Sequence, residues 1–344
     1  MSGTLQMNRW WPSGSLGRAV TTVLLAVTAS ASAGDEAHPP ADSATALGHV
    51  RAATALARDD LTAPLFLCRP DSPAVVKHAI ETGASRWVEP TRTFDNLYYI
   101  GNEFTGVWVL KTSAGLILFD ATASAQNVEQ QLVPGLVKLG LDPAAIKVVV
   151  VTHGHWDHVG GAAYLQEKLG ASVALGGLDW DLIAKTRDTV PGAAPRPIPR
   201  RDIVVVDGQQ ITLGDTTVTL YLTPGHTPGT VSALVPAREG GKTYVLVLFG
   251  GVNLPPSLEP NDRTGGLREY DESVGRLAEL ARHAGAVGIM STQVFAEGGL
   301  ARLSLSRLRR PGQPNPFVIG AEATARYFAL LHECAQASEA RVSR

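Results

Sequence analysis

The sequence predicts a mixed α/β domain in which two packed β-sheets carry helices on their outer faces, an αββα sandwich. Three observations predict it. Short runs with period-2 alternation and β-rich composition recur along the chain, the pattern of half-buried strands. Between them lie stretches with apolar residues on one helical stripe, and strands interleaved with helices suit a layered α/β architecture. The residues able to carry chemistry are scattered from Asp120 to Gln293 and have to converge, so one large domain with extensions fits the 344 residues and 44% hydrophobic content better than two small domains.

Taken in order, residues 34–60 are rich in Ala, Pro, Asp and His with little periodicity and read as a mobile linker or a weak helix, and residues 74–83 add one short helix. Strands follow at 94–100, 106–111 and 116–119, with turns at Gly101-Asn102 and Ser113-Ala114-Gly115. Residues 127–139 are helical, with Val128, Leu132, Leu136 and Leu139 on one stripe. The apolar run 147–151 is strand-like, followed by helix 161–169, strand 172–175 and helix 178–185. The Pro- and Arg-rich stretch 189–201 is a loop able to overhang a site. Strands recur at 203–206, 210–213, 217–221, 231–235 and 243–248. A helix with Tyr270, Val274, Leu277 and Leu280 on one face precedes strand 286–290, and helix 321–337 closes the chain. No tandem repeat is present.

The densest chemistry lies just after the strand 147–151, where His153, Gly154, His155, Trp156, Asp157 and His158 form a His-x-His-x-Asp-His run. Alternation points these side chains in two directions, which suits two adjacent metal positions. His153 and His155 face one ion, and Asp157 and His158 turn toward a second, the spacing that two-metal hydrolysis needs. Gly160 and Gly161 let the backbone tighten into the next helix. A third nitrogen for the first ion is His226, held in the Pro/Gly-bracketed turn Leu222-Thr223-Pro224-Gly225-His226-Thr227-Pro228-Gly229 at a strand end.

These motifs resemble the metallo-β-lactamase superfamily, and within it the third subclass of class B β-lactamases. The resemblance is carried by the run His153 to His158, by Gly225 to Gly229, by Asp95-Asn96-Leu97-Tyr98-Tyr99-Ile100-Gly101-Asn102, by Gly115-Leu116-Ile117-Leu118-Phe119-Asp120 and by Pro314-Asn315-Pro316-Phe317-Val318-Ile319-Gly320. It implies the αββα fold, zinc as cofactor and a small-molecule substrate, with opening of a β-lactam ring as the activity. A zinc held by His153, His155 and His226 with an open fourth position acidifies a bound water, and the hydroxide attacks an amide or ester carbonyl. Asp157 accepts the proton of the attacking water when the second position is empty. Asp120, at a strand end, either orients a ligand imidazole or caps a turn.

The departures are as informative. Where that subclass presents a Ser-x-His whose imidazole completes the second metal position, this chain has Ser291-Thr292-Gln293. A carboxamide oxygen is a poorer zinc ligand than an imidazole nitrogen, so one zinc should be held tightly and the second more weakly. Glu297 is the alternative ligand if its loop refolds, whereas His283 sits at the far end of the preceding strand and should not reach. Phe249-Gly250-Gly251-Val252-Asn253 stands where the family offers an Asp or Ser, so that side of the site looks stripped of polar groups. Trp108 and Trp156 are candidate pocket walls, with the core reading favoured for Trp108 on its alternating strand. Three activities stay open: a β-lactamase, a hydrolase of another amide, ester or lactone, and a metal-binding homologue with little catalysis.

Arg9 and Arg18 precede an apolar stretch from Ala19 to Ala29, and Ala31-Ser32-Ala33 offers a small-residue cleavage site, which together describe a secretory signal peptide. Met7 is an alternative start. The apolar stretch is too short for a stable transmembrane helix, so the mature chain should be periplasmic without a membrane anchor. The expected organisation is a signal peptide over 1–33, a partly disordered extension over 34–90, the hydrolase domain over 91–337 and a tail over 338–344. Export makes Cys68 and Cys334, the two cysteines, candidates for a disulfide, with two separate buried thiols as the alternative. A net charge of -2 leaves no footprint for nucleic acid, and Arg302, Arg307, Arg309 and Arg310 read as a solvated loop before Pro311.

Overall fold

The structure, a computed structural model, describes residues 42–72, 75, 78, 86–187, 196–255 and 263–343. The leader expected over 1–33 and nearly all of the helix expected over 74–83 lie outside them. Ser43 opens the first helix, α1 (Ala44–Ala57), by accepting the Ala46 N–H on its hydroxyl. The stretch read as linker or weak helix is thus helical over 44–57, with Ala46, Ala53 and Ala57 buried. Alanine is the strongest helix former, but its small side chain gives little hydropathy contrast, so periodicity understates such a helix.

The larger sheet has seven strands in chain order: β1 (Thr91–Arg92), β2 (Leu97–Gly101), β3 (Gly106–Thr112), β4 (Gly115–Phe119), β5 (Ile146–Val150), β6 (Ser172–Gly176) and β7 (Ile203–Val205). The first four pair antiparallel, and β4 to β7 pair parallel. Parallel neighbours need crossovers, and three are supplied here. The first is a helical run over 125–138 (α2). The second comprises α3 (Trp156–Val159) and α4 (Ala162–Leu169), and the third α5 (Gly177–Thr186). The strand expected over 94–100 begins at Leu97, because the chain turns back before it: Thr93 and Phe94 both donate N–H to the Leu97 carbonyl.

The second sheet has five strands ordered β12-β11-β10-β9-β8, formed by β8 (Gln209–Leu213), β9 (Thr216–Leu222), β10 (Val231–Glu239), β11 (Lys242–Leu248) and β12 (Gly288–Met290). Helix α6 (Arg263–His283) joins β11 to β12, which lie parallel. Helices α7 (Gly299–Leu308) and α8 (Ala321–Val342) end the chain. The last helix therefore runs past 337 through most of the expected tail, with Ala337 and Ser338 still buried.

Alternation sorts the strands' side chains into layers. In β3 and β4, Trp108, Leu110, Ile117 and Phe119 enter the core between the sheets, where they meet Val218, Leu220, Val231, Ala233 and Leu246. Their neighbours Val107, Val109, Leu116 and Leu118 face the other way, onto Val128, Leu132, Leu136 and Leu165 of α2 and α4. Outside the second sheet, Val247 and Ile289 pack with Ala53, Tyr270, Leu277, Tyr327 and Leu331 of α1, α6 and α8. The order helix, sheet, sheet, helix is the predicted sandwich. Cys68 and Cys334 lie in this last cluster and are bonded to each other. Among the described residues no helix is long and apolar enough to cross a membrane.

Of the four basic residues near the end of the chain, Arg310 is exposed in the coil before Pro311, as expected, whereas the other three are engaged. Arg302 is on α7 and 7% exposed, Arg307 donates to Thr91 Oγ1, and Arg309 pairs with Glu239, which also accepts from Asn315. Their clustering in sequence hid the fact that they reach different partners.

Candidate metal centre

The parallel strand β5 ends at Val150, and the chain then climbs over the sheet edge through Thr152 to His155 into α3. Asp120, at the end of the neighbouring strand β4, fixes this climb. It adopts φ +70° and is 1% exposed; its Oδ1 accepts the Thr152 N–H at 2.6 Å, and its Oδ2 lies 2.5 Å from His158 Nδ1. Both contacts open to Asp120 from sequence are made: it holds the His158 imidazole and caps the turn at Thr152. Gly161, in the following turn, approaches so closely that a Cβ there would fall 2.1 Å from the Ala121 carbonyl oxygen.

His226 arrives from the other sheet, on the turn after β9. The side-chain atoms of His153, His155 and His226 that can bind a metal all lie within 4.8 Å of one another, and the Nε2 atoms of His153 and His226 are 3.2 Å apart. Tetrahedral zinc with Zn–N of ~2.0–2.1 Å separates two ligand nitrogens by about 3.3 Å, so this pair fits one ion. The Gly250 carbonyl, which can only accept, lies 2.9 Å from His153 Nδ1, so the proton sits on Nδ1 and the lone pair on Nε2. Burial holds all three imidazoles below their ordinary range, His155 at about 4, and so keeps them neutral at physiological pH. Neutral nitrogens converging in a buried space form a donor set that fits a cation.

The second half of the run is built differently. His158 lies between two carboxylates, Asp120 at 2.5 Å from Nδ1 and Asp157 at 3.0 Å from Nε2. Burial disfavours its charge, but the two carboxylates outweigh burial and raise the imidazole to about 10. Burial likewise pushes the Asp157 carboxyl up, and His158 more than offsets this, holding it at about 2. The contact with Asp157 lacks hydrogen-bond alignment, which leaves His158 Nε2 a buried nitrogen without a hydrogen-bond partner. Gln293 does face this half: its Nε2 donates to Asp157 Oδ2 at 3.3 Å, and its Oε1 accepts from Asn253 Nδ2.

A sequence profile described as the metallo-beta-lactamase superfamily matches residues 100–238. The chain carries a metallo-β-lactamase superfamily domain. Among solved structures this domain is similar to BJP-1, a subclass B3 metallo-β-lactamase of Bradyrhizobium japonicum. The TM-score is 0.60 and the identity 28%, over 73% of this chain and 94% of that one. The native FEZ-1 metallo-β-lactamase of Legionella gormanii matches with a TM-score of 0.62 and 23% identity over 71% of this chain and 93% of that one, a likeness of fold. In sequence, the hydroxyacylglutathione hydrolase of Pseudomonas aeruginosa is 34% identical over 90 residues, 26% of this chain and 28% of that protein. The match thus spans under a third of that relative's length.

The other expectations sort clearly. Glu297 does not turn toward the centre: 1% exposed, it accepts N–H groups from Ser291 at 3.3 Å and Gly299 at 2.8 Å. His283 stays exposed, beside Arg282 and Glu279. Trp108 is core, donating to the Ser291 carbonyl at 2.8 Å, and Trp156 is half-buried with Arg196 over its ring at 4.9 Å. The side expected to be stripped of polar groups is not, because Asn253 is buried there against Gln293.

Asp179 was missed from sequence. It stands in the first turn of α5, fully buried, and ties both imidazole-bearing loops together. Its Oδ2 accepts from Gly154 N–H at 2.7 Å and Thr227 Oγ1 at 2.6 Å, and its Oδ1 accepts from Gly229 N–H at 2.8 Å. A Cβ on Gly229 would fall 2.5 Å from the Asp179 nitrogen, so only glycine permits this approach. An acidic residue in the first turn of a helix, two positions after Gly176-Gly177, was the signal available.

Proposed function

We propose that this chain is an exported zinc hydrolase that opens the amide of a β-lactam. The observation that carries this reading is the extent of the likeness to BJP-1. It takes in 94% of that β-lactamase at 28% identity, against 28% of the length of the hydroxyacylglutathione hydrolase. Zinc bound by His153, His155 and His226 would supply an acidified water and a Lewis acid for the substrate carbonyl. The protein's own part is positional. The Gly250 carbonyl fixes the His153 tautomer, Asp179 sets the spacing of the two loops, and Asp120 fixes the His158 ring. Asp157, 8% exposed beside the imidazole trio, would accept the proton of the attacking water on its carboxylate and return it to the leaving nitrogen.

Turnover of penicillins, cephalosporins and carbapenems by the zinc-loaded protein is the test. No hydrolysis of any of them would sink the reading. A hydroxyacylglutathione thioester belongs in the same panel, since the 34% identity over 90 residues favours it as second substrate class. Hydrolysis of that thioester alone would put the second reading in place of the first. Export rests on Arg9, Arg18, the apolar stretch to Ala29 and the Ala31-Ser32-Ala33 site, and a Cys68–Cys334 bond suits an oxidising compartment. A secreted form beginning at Gly34 by mass spectrometry is expected; retention of residues 1–33 on the mature protein would refute it.

A further inference from the structure

The geometry points to a centre that holds one metal ion, with the Gln293–Asn253 carboxamide pair standing where a second ion would be. This rests on reading the imidazole trio as the metal site. Protein zinc sites take three or four protein ligands, and the second half of this centre offers Asp157, His158 and Gln293 as candidates. Two of them fit an ion: His158 Nε2 is buried without a hydrogen-bond partner, and Asp157 lies beside it at 3.0 Å.

Gln293 does not fit. A carboxylate only accepts hydrogen bonds, so the Gln293 amide has to turn its Nε2 toward Asp157, at 3.3 Å. That orientation sends Oε1, the atom a metal would need, to Asn253, whose Nδ2 donates to it. Reversing the Gln293 amide would set its oxygen against Asp157 and its NH2 against the Asn253 NH2. Both contacts repel, and at 3% and 4% exposure for Gln293 and Asn253 no bulk water compensates. Reversing both amides cures the contact between them but leaves oxygen facing carboxylate. Within the pair, the atom left without a partner is Asn253 Oδ1. The second position is therefore left with two protein donors, and an uncharged N–H takes the place of a cation beside Asp157.

The count of bound metal tests this without reference to activity. The full mature chain is dialysed against rising free zinc, and metal per chain is measured by mass spectrometry, with cobalt(II) absorption as a second readout of site number. The wild type should saturate at one ion per chain. Gln293→His and Gln293→Glu, which put a ligating atom where Asn253 now caps an oxygen, should each raise the count to two with unchanged circular dichroism. Two ions on the wild type, or folded variants that both stay at one, would overturn the inference and leave the hydrolase reading standing. No ion on the wild type would overturn both. Should either variant fail to fold, the wild-type count together with the other variant decides.

Discussion

The two halves of the centre satisfy their polar groups in opposite ways. On the trio side, the Nε2 atoms of His153 and His226 face each other at 3.2 Å, and His153 turns its Nδ1 outward to the Gly250 carbonyl. On the Gln293 side, each side chain is matched to the next: Asp120 to His158, His158 to Asp157, Asp157 to Gln293, Gln293 to Asn253. Buried polar groups are stable when each finds a partner. The first half gathers neutral nitrogens that fit a cation, and the second is linked from residue to residue, with His158 Nε2 and Asn253 Oδ1 its unpartnered atoms. One motif, read in sequence as a tight and a weaker metal position, thus folds into a socket and a plug.

The sharpest way to break this contrast is to remove one nitrogen of the trio. Structural zinc binding is worth ~10–16 kcal/mol over about four ligands, so His226→Ala should weaken zinc by roughly 100- to 1000-fold. Competition with a chromophoric chelator measures it, and an unchanged constant would show that His226 holds no metal. Next in size is Asp179→Ala. It leaves all three imidazoles in place but unties the loops bearing them, and loss of such an outer partner typically costs about 10- to 100-fold in metal affinity. A stability loss with zinc affinity intact would reduce Asp179 to ordinary packing.

The smallest effect at the centre itself should come from Glu297→Gln. Burial pushes the Glu297 carboxyl up to about 7, while Arg302 and the Gly299 and Ser291 N–H groups pull it back. A carboxyl raised on folding keeps its proton where the unfolded chain has lost it, so stability is full in acid and falls as pH rises from about 4.5 to about 7. The glutamine variant should flatten that slope, which is on the order of 3 kcal/mol at ~1.4 kcal/mol per unit, and leave zinc content unchanged. Denaturant titrations at several pH values give the comparison; a slope that survives in the variant would assign it to another group.

What could be read from sequence follows the range of the interactions involved. The layers were legible because alternation in segments such as Gly106–Thr112 is set within a few residues, and His153 to His158 announce themselves within one turn. His226 was legible because Pro224 and Pro228 stiffen its own loop. Gln293 was singled out by the motif around Ser291 and lies against Asp157, but its chemistry depends on Asn253, 40 positions away, and no local pattern pairs the two. Asp179 failed the same way: its partners are Gly154, Thr227 and Gly229, and alone it resembles any acidic residue opening a helix. Helix α1 was hidden by composition, since alanine faces bury well and signal poorly.

The Cys68–Cys334 bond encloses both sheets and every residue of the centre within one covalent ring, the two half-cystines lying 266 positions apart. A protease that cuts once anywhere inside that ring cannot release a fragment. The nicked protein would travel as a single species on a gel until thiol is added, and only then as two.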